Sequence, residues 1–148
     1  MEIISHNLTE TADLAAKILA ELINKKRADQ ATLVSLQGDL GAGKTTFTQA
    51  VARALGIKER VTSPTFVIMK IYHGKATPWT RLIHIDCYRL DKDKDLLKLG
   101  WDELASDPAN LILVEWPERV GNLLTAPDLK IKFEVAGENS RKIIYGER

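Results

Sequence analysis

The feature that most constrains this chain is a glycine-rich segment, residues 38–45, which matches the pattern G-x-x-x-x-G-K-[ST] at every fixed position. Residues 32–36, directly before it, are mostly apolar and predict a buried parallel strand. After it, Phe47, Val51 and Leu55 recur at helical spacing, and Gly56 follows where a glycine ends a helix. A strand, a glycine loop and a helix in this order are the context that a phosphate-binding loop requires.

The residue types of this segment have chemical reasons. Glycines let successive backbone N–H groups turn inward around an anion, and the N-terminus of the following helix adds the positive end of its dipole. Lys44 can neutralise the β- and γ-phosphates of a nucleotide, and the Thr45 hydroxyl can coordinate Mg²⁺. We therefore predict a Mg–ATP site whose loop consists of Gly38, Asp39, Leu40, Gly41, Ala42, Gly43, Lys44 and Thr45.

The rest of the pattern predicts an α/β fold of the P-loop NTPase type. A strand at residues 2–5 precedes a helix with Asn7 as its N-cap and Leu14, Ile18 and Leu22 on its buried face. We expect one domain, residues 1–148, with central, mostly parallel strands, antiparallel additions and flanking helices. The further predicted elements are a hairpin of strands at 66–72 and 81–86, helices at 91–99 and 101–105, a strand at 111–114, and an antiparallel pair at 129–135 and 142–145.

Composition excludes several classes of protein. A net charge of +1 over 148 residues creates no strong field that would indicate a nucleic-acid or membrane partner. Cys87 is the only cysteine, which excludes an internal disulfide and a cluster of thiolate metal ligands. The N-terminus lacks the basic and apolar regions of a signal peptide, and no apolar run approaches the ~20 residues of a membrane span. We expect a cytoplasmic protein with no membrane partner.

A phosphate loop of this kind requires a carboxylate that faces the metal from a neighbouring strand end, and two residues qualify. Glu115 follows the apolar run 111–114, in the position of a Walker B acid, and Asp86 follows the run 82–85 in the same way. Ligands bind at the carboxyl ends of strands in open α/β sheets. Either residue alone also fits an ordinary polar residue at a strand end, and the sequence leaves open which one orients an attacking water.

Three other features each have two interpretations, and a fourth, Cys87, has one. Residues 63–65, Ser-Pro-Thr, occupy the position of a GTPase switch segment, in which a threonine senses the γ-phosphate, but they equally fit a proline turn before a strand. Trp116 fits a position that stacks on a base or covers the site, although the core is the better fit on composition alone. His84 alternates with apolar residues and is expected to be structural rather than catalytic, and Cys87 is expected to be a small buried hydrophobe.

Four segments together resemble a known family. They are the loop 38–46, Ser-Pro-Thr-Phe at 63–66, His-Ile-Asp-Cys-Tyr-Arg-Leu at 84–90, and Val-Glu-Trp-Pro-Glu at 114–118. In this order they closely resemble the TsaE (YjeE) family, the ATPase component of bacterial tRNA threonylcarbamoyladenosine biosynthesis. The resemblance covers nearly the whole chain, and Ser-Pro-Thr-Phe with Glu-Trp-Pro is far more specific than the loop alone.

The resemblance implies an activity, partners and site roles. TsaE proteins act with TsaB and TsaD, and TsaD places threonylcarbamoyl on N6 of adenosine 37 in tRNAs that read ANN codons, so contact with tRNA is only indirect. The TsaE-like protein would hydrolyse ATP and reset the complex between turnovers. The roles implied here are catalysis by Asp86 and Glu115, metal binding by Thr45, Glu115 and Asp86, and nucleotide contacts from Thr46, Trp116, Thr11 and the switch-like Thr65.

Two other classes of function stay open. A small P-loop kinase that transfers the γ-phosphoryl group to a metabolite would share the loop, but residues 92–98 are too short and too lysine-rich for an arginine-bearing lid. A nucleotide-sensing scaffold without turnover also fits. No arginine is evidently placed to stabilise transition-state charge, and Arg60, Arg89 and Arg119 are the possible internal donors. We therefore expect weak ATP hydrolysis without partner proteins.

Overall fold

The computed structural model describes residues 1–75, 78–124 and 126–146. Its strands form one seven-stranded sheet in the order β1-β7-β6-β2-β5-β4-β3. In chain order the elements are β1 (Glu2–Ser5), α1 (Leu8–Lys25), β2 (Thr32–Gln37), α2 (Lys44–Ala54), β3 (Met69–His73), β4 (Arg81–Asp86), α3 (Asp93–Leu97), α4 (Trp101–Ala105), β5 (Asn110–Glu115), a 3₁₀ turn (Pro117–Val120), β6 (Leu129–Val135) and β7 (Arg141–Gly146).

The centre of the sheet is parallel and its margins are antiparallel. β2 pairs in parallel with β5 on one side and β6 on the other, and β5 pairs in parallel with β4. β3, β7 and β1 are added antiparallel. The predicted α/β architecture of the P-loop type is therefore confirmed. Because β2 lies between β5 and β6, the loop that follows it emerges at the middle of the carboxyl edge of the sheet.

Helices cover both faces of the sheet. On one face, α1 and α2 contribute Ile18 and Phe47 to a large apolar core, and Asn7 caps α1 as predicted by accepting a hydrogen bond from the backbone N–H of Glu10 at 2.9 Å. On the other face, Trp101 of α4 belongs to a second core with the apolar residues of β4 and β5. Within the described residues, no helix combines the length and the apolarity that crossing a membrane requires.

The strand predicted at residues 66–72 starts later than expected. Val67 and Ile68 both donate their backbone N–H groups to the carbonyl of Pro64 and thereby form a turn. Ile68 also has a left-handed φ of 70°, which interrupts the extended backbone. The strand β3 therefore begins only at Met69, and the residues before it form a projecting turn beside β4.

The helix predicted at residues 91–99 is shorter in the structure, since α3 covers only Asp93–Leu97. The carboxylate of Asp95 accepts hydrogen bonds from the backbone N–H groups of Asp91 and Lys92. Those two residues therefore precede the helix and belong to its N-terminal cap. Gly100, with φ of 88°, separates α3 from α4 as the predicted stop. In the predicted connection between β3 and β4, residues 76 and 77 lie outside the described residues.

Candidate nucleotide site

The loop between β2 and α2 has the backbone of an anion cradle. Gly41 and Gly43 have left-handed φ values of 78° and 109°, which side chains rarely allow. Space is also limited at Gly43, because a Cβ there would lie 2.6 Å from Cδ and 2.7 Å from Nε of Arg141. Gly43 is the N-cap of α2 and has no side chain to bond the first N–H groups of that helix. Those groups are therefore available to a phosphate.

Lys44 lies inside this cradle and is only 4% exposed. Its Nζ donates a hydrogen bond to the carbonyl oxygen of Gly38 at 2.5 Å and lies 3.8 Å from Oε1 of Glu115. It also lies 4.4 Å from the centroid of the Trp116 ring. A buried ammonium is costly unless it is paired. These three neighbours stabilise the charge of Lys44 in the nucleotide-free protein, at a position where phosphate oxygens could take over the same contacts.

Asp86 and Glu115 end two adjacent parallel strands and are in register with each other. They are 2% and 3% exposed, and both reach a cleft of about 170 Å³, which we call the acid cleft. The structure thus brings together the predicted loop, both predicted acids, Thr46 and the switch-like Thr65. The acid cleft is lined by Leu40, Gly41, Gly43, Lys44, Thr45, Thr46, Ser63, Thr65, Asp86, Glu115 and Arg141.

Asp86 is held by two hydrogen bonds. Its Oδ2 accepts from the Thr65 hydroxyl at 2.8 Å, and its Oδ1 accepts from the backbone N–H of Tyr88 at 2.9 Å. The Thr65 hydroxyl also lies 2.7 Å from that of Ser63. The segment at residues 63–65 therefore combines the turn and the site contact that its sequence had left as alternatives. A threonine that bonds a cleft carboxylate is placed to respond when that carboxylate changes partner.

Glu115 has a partner that sequence analysis missed. Its Oε2 lies 2.5 Å from Nε2 of His84, whose side chain is fully buried. His84 is in register with Leu113, two residues before Glu115 on the same face, so the two side chains form a diagonal pair across β4 and β5. Alternation with apolar residues indicated only that His84 is buried. The missing signal was the pairing of the two strands, which spacing along one strand does not contain.

Trp116 packs beside Lys44 but faces a different cleft. Its backbone φ of 55° is left-handed, an unusual conformation for a bulky residue that is found most often at functional sites. Its ring lies 5.0 Å from that of Tyr88, and its buried Nε1 has no hydrogen-bond partner in the described part of the chain. The second cleft, about 560 Å³, is lined by Gln37, Gly38, Asp39, Ala42, Trp116, Glu118, Lys132, Phe133, Glu134 and Val135.

A third cleft adjoins the acid cleft on the side of α1. It measures about 380 Å³, and Thr11 lies in its wall with its hydroxyl 2.7 Å from that of Ser5. Thr46 and Arg141 line both this cleft and the acid cleft, so the two are neighbours. We call it the α1 cleft, because residues at the start of α1 line it beside the phosphate loop. Its lining is Ser5, His6, Asn7, Leu8, Thr11, Thr46, Asn139 and Arg141.

Arg141, which the sequence analysis did not consider as a charge donor, lies beside the phosphate loop. It begins β7, and its side chain packs against Gly43. The arginines considered from the sequence lie elsewhere: Arg89 is 4.6 Å from the ring of Phe66, and Arg119 is 5.6 Å from that of Tyr88. Arg60 lines a groove near the end of α2. Only the sheet order, with β7 two strands from β2, places Arg141 at the site.

The donors in the acid cleft fit a magnesium ion bound together with phosphates. Mg²⁺ in nucleotide sites takes one or two carboxylates and uses phosphate oxygens and water for its other positions. The acid cleft contains two carboxylates, Asp86 and Glu115, and the hydroxyl of Thr45, which matches this requirement. Among the described residues, no group of three His, Cys, Asp or Glu side chains forms a metal site.

Cys87 is buried, as predicted, and lies beside the acids; its thiol is unreactive in the folded protein. Burial, together with the negative charges of Asp86, Glu118 and Glu115, raises the pKa of its thiol to about 12. The thiol is therefore neutral at physiological pH and neither a nucleophile nor a metal ligand in the folded protein.

Comparison with known proteins supports the resemblance drawn from the sequence. A Treponema pallidum protein named tRNA threonylcarbamoyladenosine biosynthesis protein TsaE is 37% identical over 115 residues, 78% of this chain and 82% of that protein. The Bacillus subtilis protein of the same name is 40% identical over 113 residues, 76% of this chain and 68% of that protein. The crystal structure of Bacillus subtilis YdiB matches 97% of this chain and 82% of its own, with a TM-score of 0.66 and 32% identity.

The family model gives the same result. The model described as threonylcarbamoyl adenosine biosynthesis protein TsaE matches residues 5–143, which include β2, the phosphate loop and both strand-end acids. Together with the relatives, this match confirms the family that the motifs indicated. The chain belongs to the TsaE family of threonylcarbamoyl adenosine biosynthesis proteins.

Proposed function

We propose that this protein is a cytoplasmic ATPase, a single P-loop domain of residues 1–148, that binds and hydrolyses Mg–ATP. In this role it supports a TsaB–TsaD complex in the threonylcarbamoylation of adenosine 37 in tRNAs that read ANN codons. The observation that carries the proposal is the acid cleft, in which the phosphate loop, Lys44, Thr45 and two buried strand-end carboxylates converge. Membership of the TsaE family supports the pathway.

The phosphates are bound by the loop and by two cations. Backbone N–H groups at the start of α2 donate to phosphate oxygens, and Lys44 gives up its contact with Glu115 to neutralise the β- and γ-phosphates. Arg141 lies between the α1 cleft and the acid cleft, where it would add positive charge near the phosphates of ATP and of the departing ADP. Thr46 and Thr11 line the α1 cleft, in which we place the nucleoside.

The acids serve the metal and the water. Mg²⁺, when bound, would supply positive charge that neutralises the phosphates and the charge that develops during hydrolysis. Thr45 and Glu115 are the protein groups that would hold it, with Asp86 as a further ligand or as the base that orients the attacking water. Trp116, packed on Lys44, closes the neighbouring side of the loop.

Exposed apolar side chains around the acid cleft support docking of a partner over the nucleotide. Leu40 of the loop is 71% exposed and Phe66 is 83% exposed, and Val67 and Tyr88 are also open to solvent. Neighbouring apolar groups on a surface mark interaction sites more often than isolated ones do. Because Thr65 bonds Asp86, the turn that carries Phe66 is coupled to the cleft. ATP binding is therefore expected to strengthen docking and hydrolysis to weaken it.

Release of phosphate from Mg–ATP tests the proposal. We expect slow release by the isolated protein and faster release with purified TsaB–TsaD, and little release by Lys44→Ala. Transfer of the γ-phosphoryl group to a nucleoside or sugar would instead show a kinase, although α3 carries no arginine for a lid. Binding of ATP without release or transfer in any mixture would show a nucleotide-sensing scaffold. Equal association with TsaB–TsaD in the presence of a non-hydrolysable ATP analogue, in the presence of ADP and without nucleotide would reject nucleotide-gated docking. It would leave the ATPase assignment standing.

A further inference from the structure

Packing does not explain the histidine in the middle of β4. His84 is fully buried, and its neighbours Leu82, Ile83 and Ile85 on the same strand are apolar and fully buried as well. Its Nδ1 has no hydrogen-bond partner among the residues that the structure describes. A buried polar atom without a partner destabilises the folded protein. An apolar side chain would fill the same position without this cost. We therefore expect the role of the imidazole to lie in the contact made by its other nitrogen, Nε2.

That other nitrogen holds Glu115. Nε2 of His84 lies 2.5 Å from Oε2 of the carboxylate, while Oε1 faces Lys44 at 3.8 Å, beyond hydrogen-bond distance. Since the buried Nδ1 has no hydrogen-bond partner among the described residues, the N–H in this contact is assigned to Nε2, which donates to Oε2. The hydrogen bond uses one carboxylate oxygen and leaves the other directed toward the phosphate loop.

The two acids of the cleft differ in how they are held. Asp86 is held by the backbone N–H of Tyr88 and by the hydroxyl of Thr65. Among the described residues, only His84 donates a hydrogen bond to the carboxylate of Glu115. Without it, the carboxylate of Glu115 would keep only its ion pair with Lys44 and would have no hydrogen bond to fix its orientation among the described residues. Its productive orientation therefore depends on the imidazole.

We propose that His84 is a positioning residue that orients Glu115 toward the metal and phosphates through the bond from Nε2 to Oε2. This proposal depends on the proposed Mg–ATP chemistry, in which Glu115 is the acid that holds the metal. Groups that hydrogen-bond a metal-ligating side chain typically contribute about 10–100-fold to metal affinity or activity. His84 touches neither nucleotide nor metal and acts only through the carboxylate.

Two conservative variants separate positioning from packing. In His84→Gln, the amide N–H group can reach the place of Nε2 and donate to Glu115, whereas in His84→Asn the amide is equally polar but too short. We expect His84→Asn to lower kcat for ATP hydrolysis by about 10–100-fold with little change in KM, and His84→Gln to recover at least half of that loss on a logarithmic scale. Equal kcat in the two variants, at equal thermal stability, would overturn the proposal.

A second readout does not require turnover. Calorimetry with ATP, with and without Mg²⁺, measures how much the metal strengthens nucleotide binding. We expect His84→Asn to lose most of this Mg²⁺-dependent gain while its affinity for metal-free ATP stays within about threefold. An unchanged gain in His84→Asn would overturn the proposal. Absence of hydrolysis by the parent protein with an intact Mg²⁺ gain would instead reject the ATPase assignment and leave the positioning role supported.

A double-mutant cycle supplies the final check. If His84 acts only through Glu115, His84→Asn should have no additional effect on kcat or on the Mg²⁺ gain in a Glu115→Ala background, which leaves Nε2 no side-chain acceptor at that position. Multiplicative effects of the two substitutions would show that His84 acts through another route, which contradicts the proposal. Thermal unfolding of each variant without nucleotide reports separately on packing.

Discussion

Replacing Gly43 with alanine tests whether Arg141 packs on the phosphate loop. The new Cβ would lie 2.6 Å from Cδ of Arg141, closer than non-bonded carbon atoms approach, and the residue would keep a φ of 109°. The left-handed backbone alone costs roughly 1–2 kcal/mol for a residue with a Cβ. The Arg141 side chain must also shift, and because it is flexible and only half-buried we expect this to add about 0.5–1 kcal/mol.

Gly41 provides a matched control for this substitution. Its φ of 78° is also left-handed, but a Cβ there meets no atom of the described residues within 4 Å. Gly41→Ala should therefore lose only the roughly 1–2 kcal/mol of backbone strain, and Gly43→Ala about 0.5–1 kcal/mol more. In a chain of ~150 residues, each kcal/mol corresponds to a fall of about 2–4 °C in Tm.

The assay is urea unfolding of the nucleotide-free protein, followed by circular dichroism. The additional loss in Gly43→Ala should disappear in an Arg141→Ala background, because the clashing side chain is then absent. Two results would refute the reasoning: equal losses for Gly41→Ala and Gly43→Ala, or an additional loss that persists without the Arg141 side chain.

Three further predictions follow from single contacts. Cys87, whose thiol pKa is raised to about 12, should react with iodoacetamide at pH 8 only after unfolding in urea, and rapid alkylation of the native protein would contradict its burial. The thiol deprotonates more readily in the unfolded chain, so the free energy of unfolding should fall as pH rises above about 9. Thr65→Val removes the hydroxyl that bonds Asp86 and should slow phosphate release about tenfold while unfolding free energy changes by only ~0.5–1.5 kcal/mol; unchanged release would show that the bond is irrelevant to turnover. Trp79→Phe removes the buried hydrogen bond from the indole to Thr32 at 2.9 Å and should cost about 1–3 kcal/mol in urea unfolding, with nucleotide affinity unchanged.

Local patterns predicted most of the fold because they report local physics. The apolar run before Glu115 and the helical spacing after Lys44 follow from burial of one strand or one helix face, and both elements are where the patterns placed them. Asn7 caps α1 through a bond three residues away, which sequence spacing contains directly. The start of β3 was wrong because the turn at Pro64 competes with strand pairing, and β-rich composition does not register that competition.

Residues that depend on strand pairing were beyond the reach of such patterns. His84 and Glu115 lie 31 positions apart and meet because β4 and β5 pair in a particular register. Arg141 reaches the loop because β7 pairs with β6, and β6 with β2. The motifs therefore predicted that the loop and the two acids lie together, as they do in the acid cleft, while the contacts of His84 and Arg141 with them emerged only from the sheet.

Calorimetric titration of the protein with Mg–ATP, beside Lys44→Ala and an exposed-lysine control, Lys58→Ala, tests the central claim most directly. Lys44 is buried at the base of the cradle, so its removal deprives the phosphates of a charge-assisted hydrogen bond worth ~1.5–3 kcal/mol. We predict saturable binding by the parent protein, unchanged affinity in Lys58→Ala, and a loss of roughly 10–150-fold or more in a folded Lys44→Ala variant. Equal affinity in the parent protein and Lys44→Ala, or no binding by the parent protein, would contradict the assignment of residues 38–45 as the phosphate-binding loop.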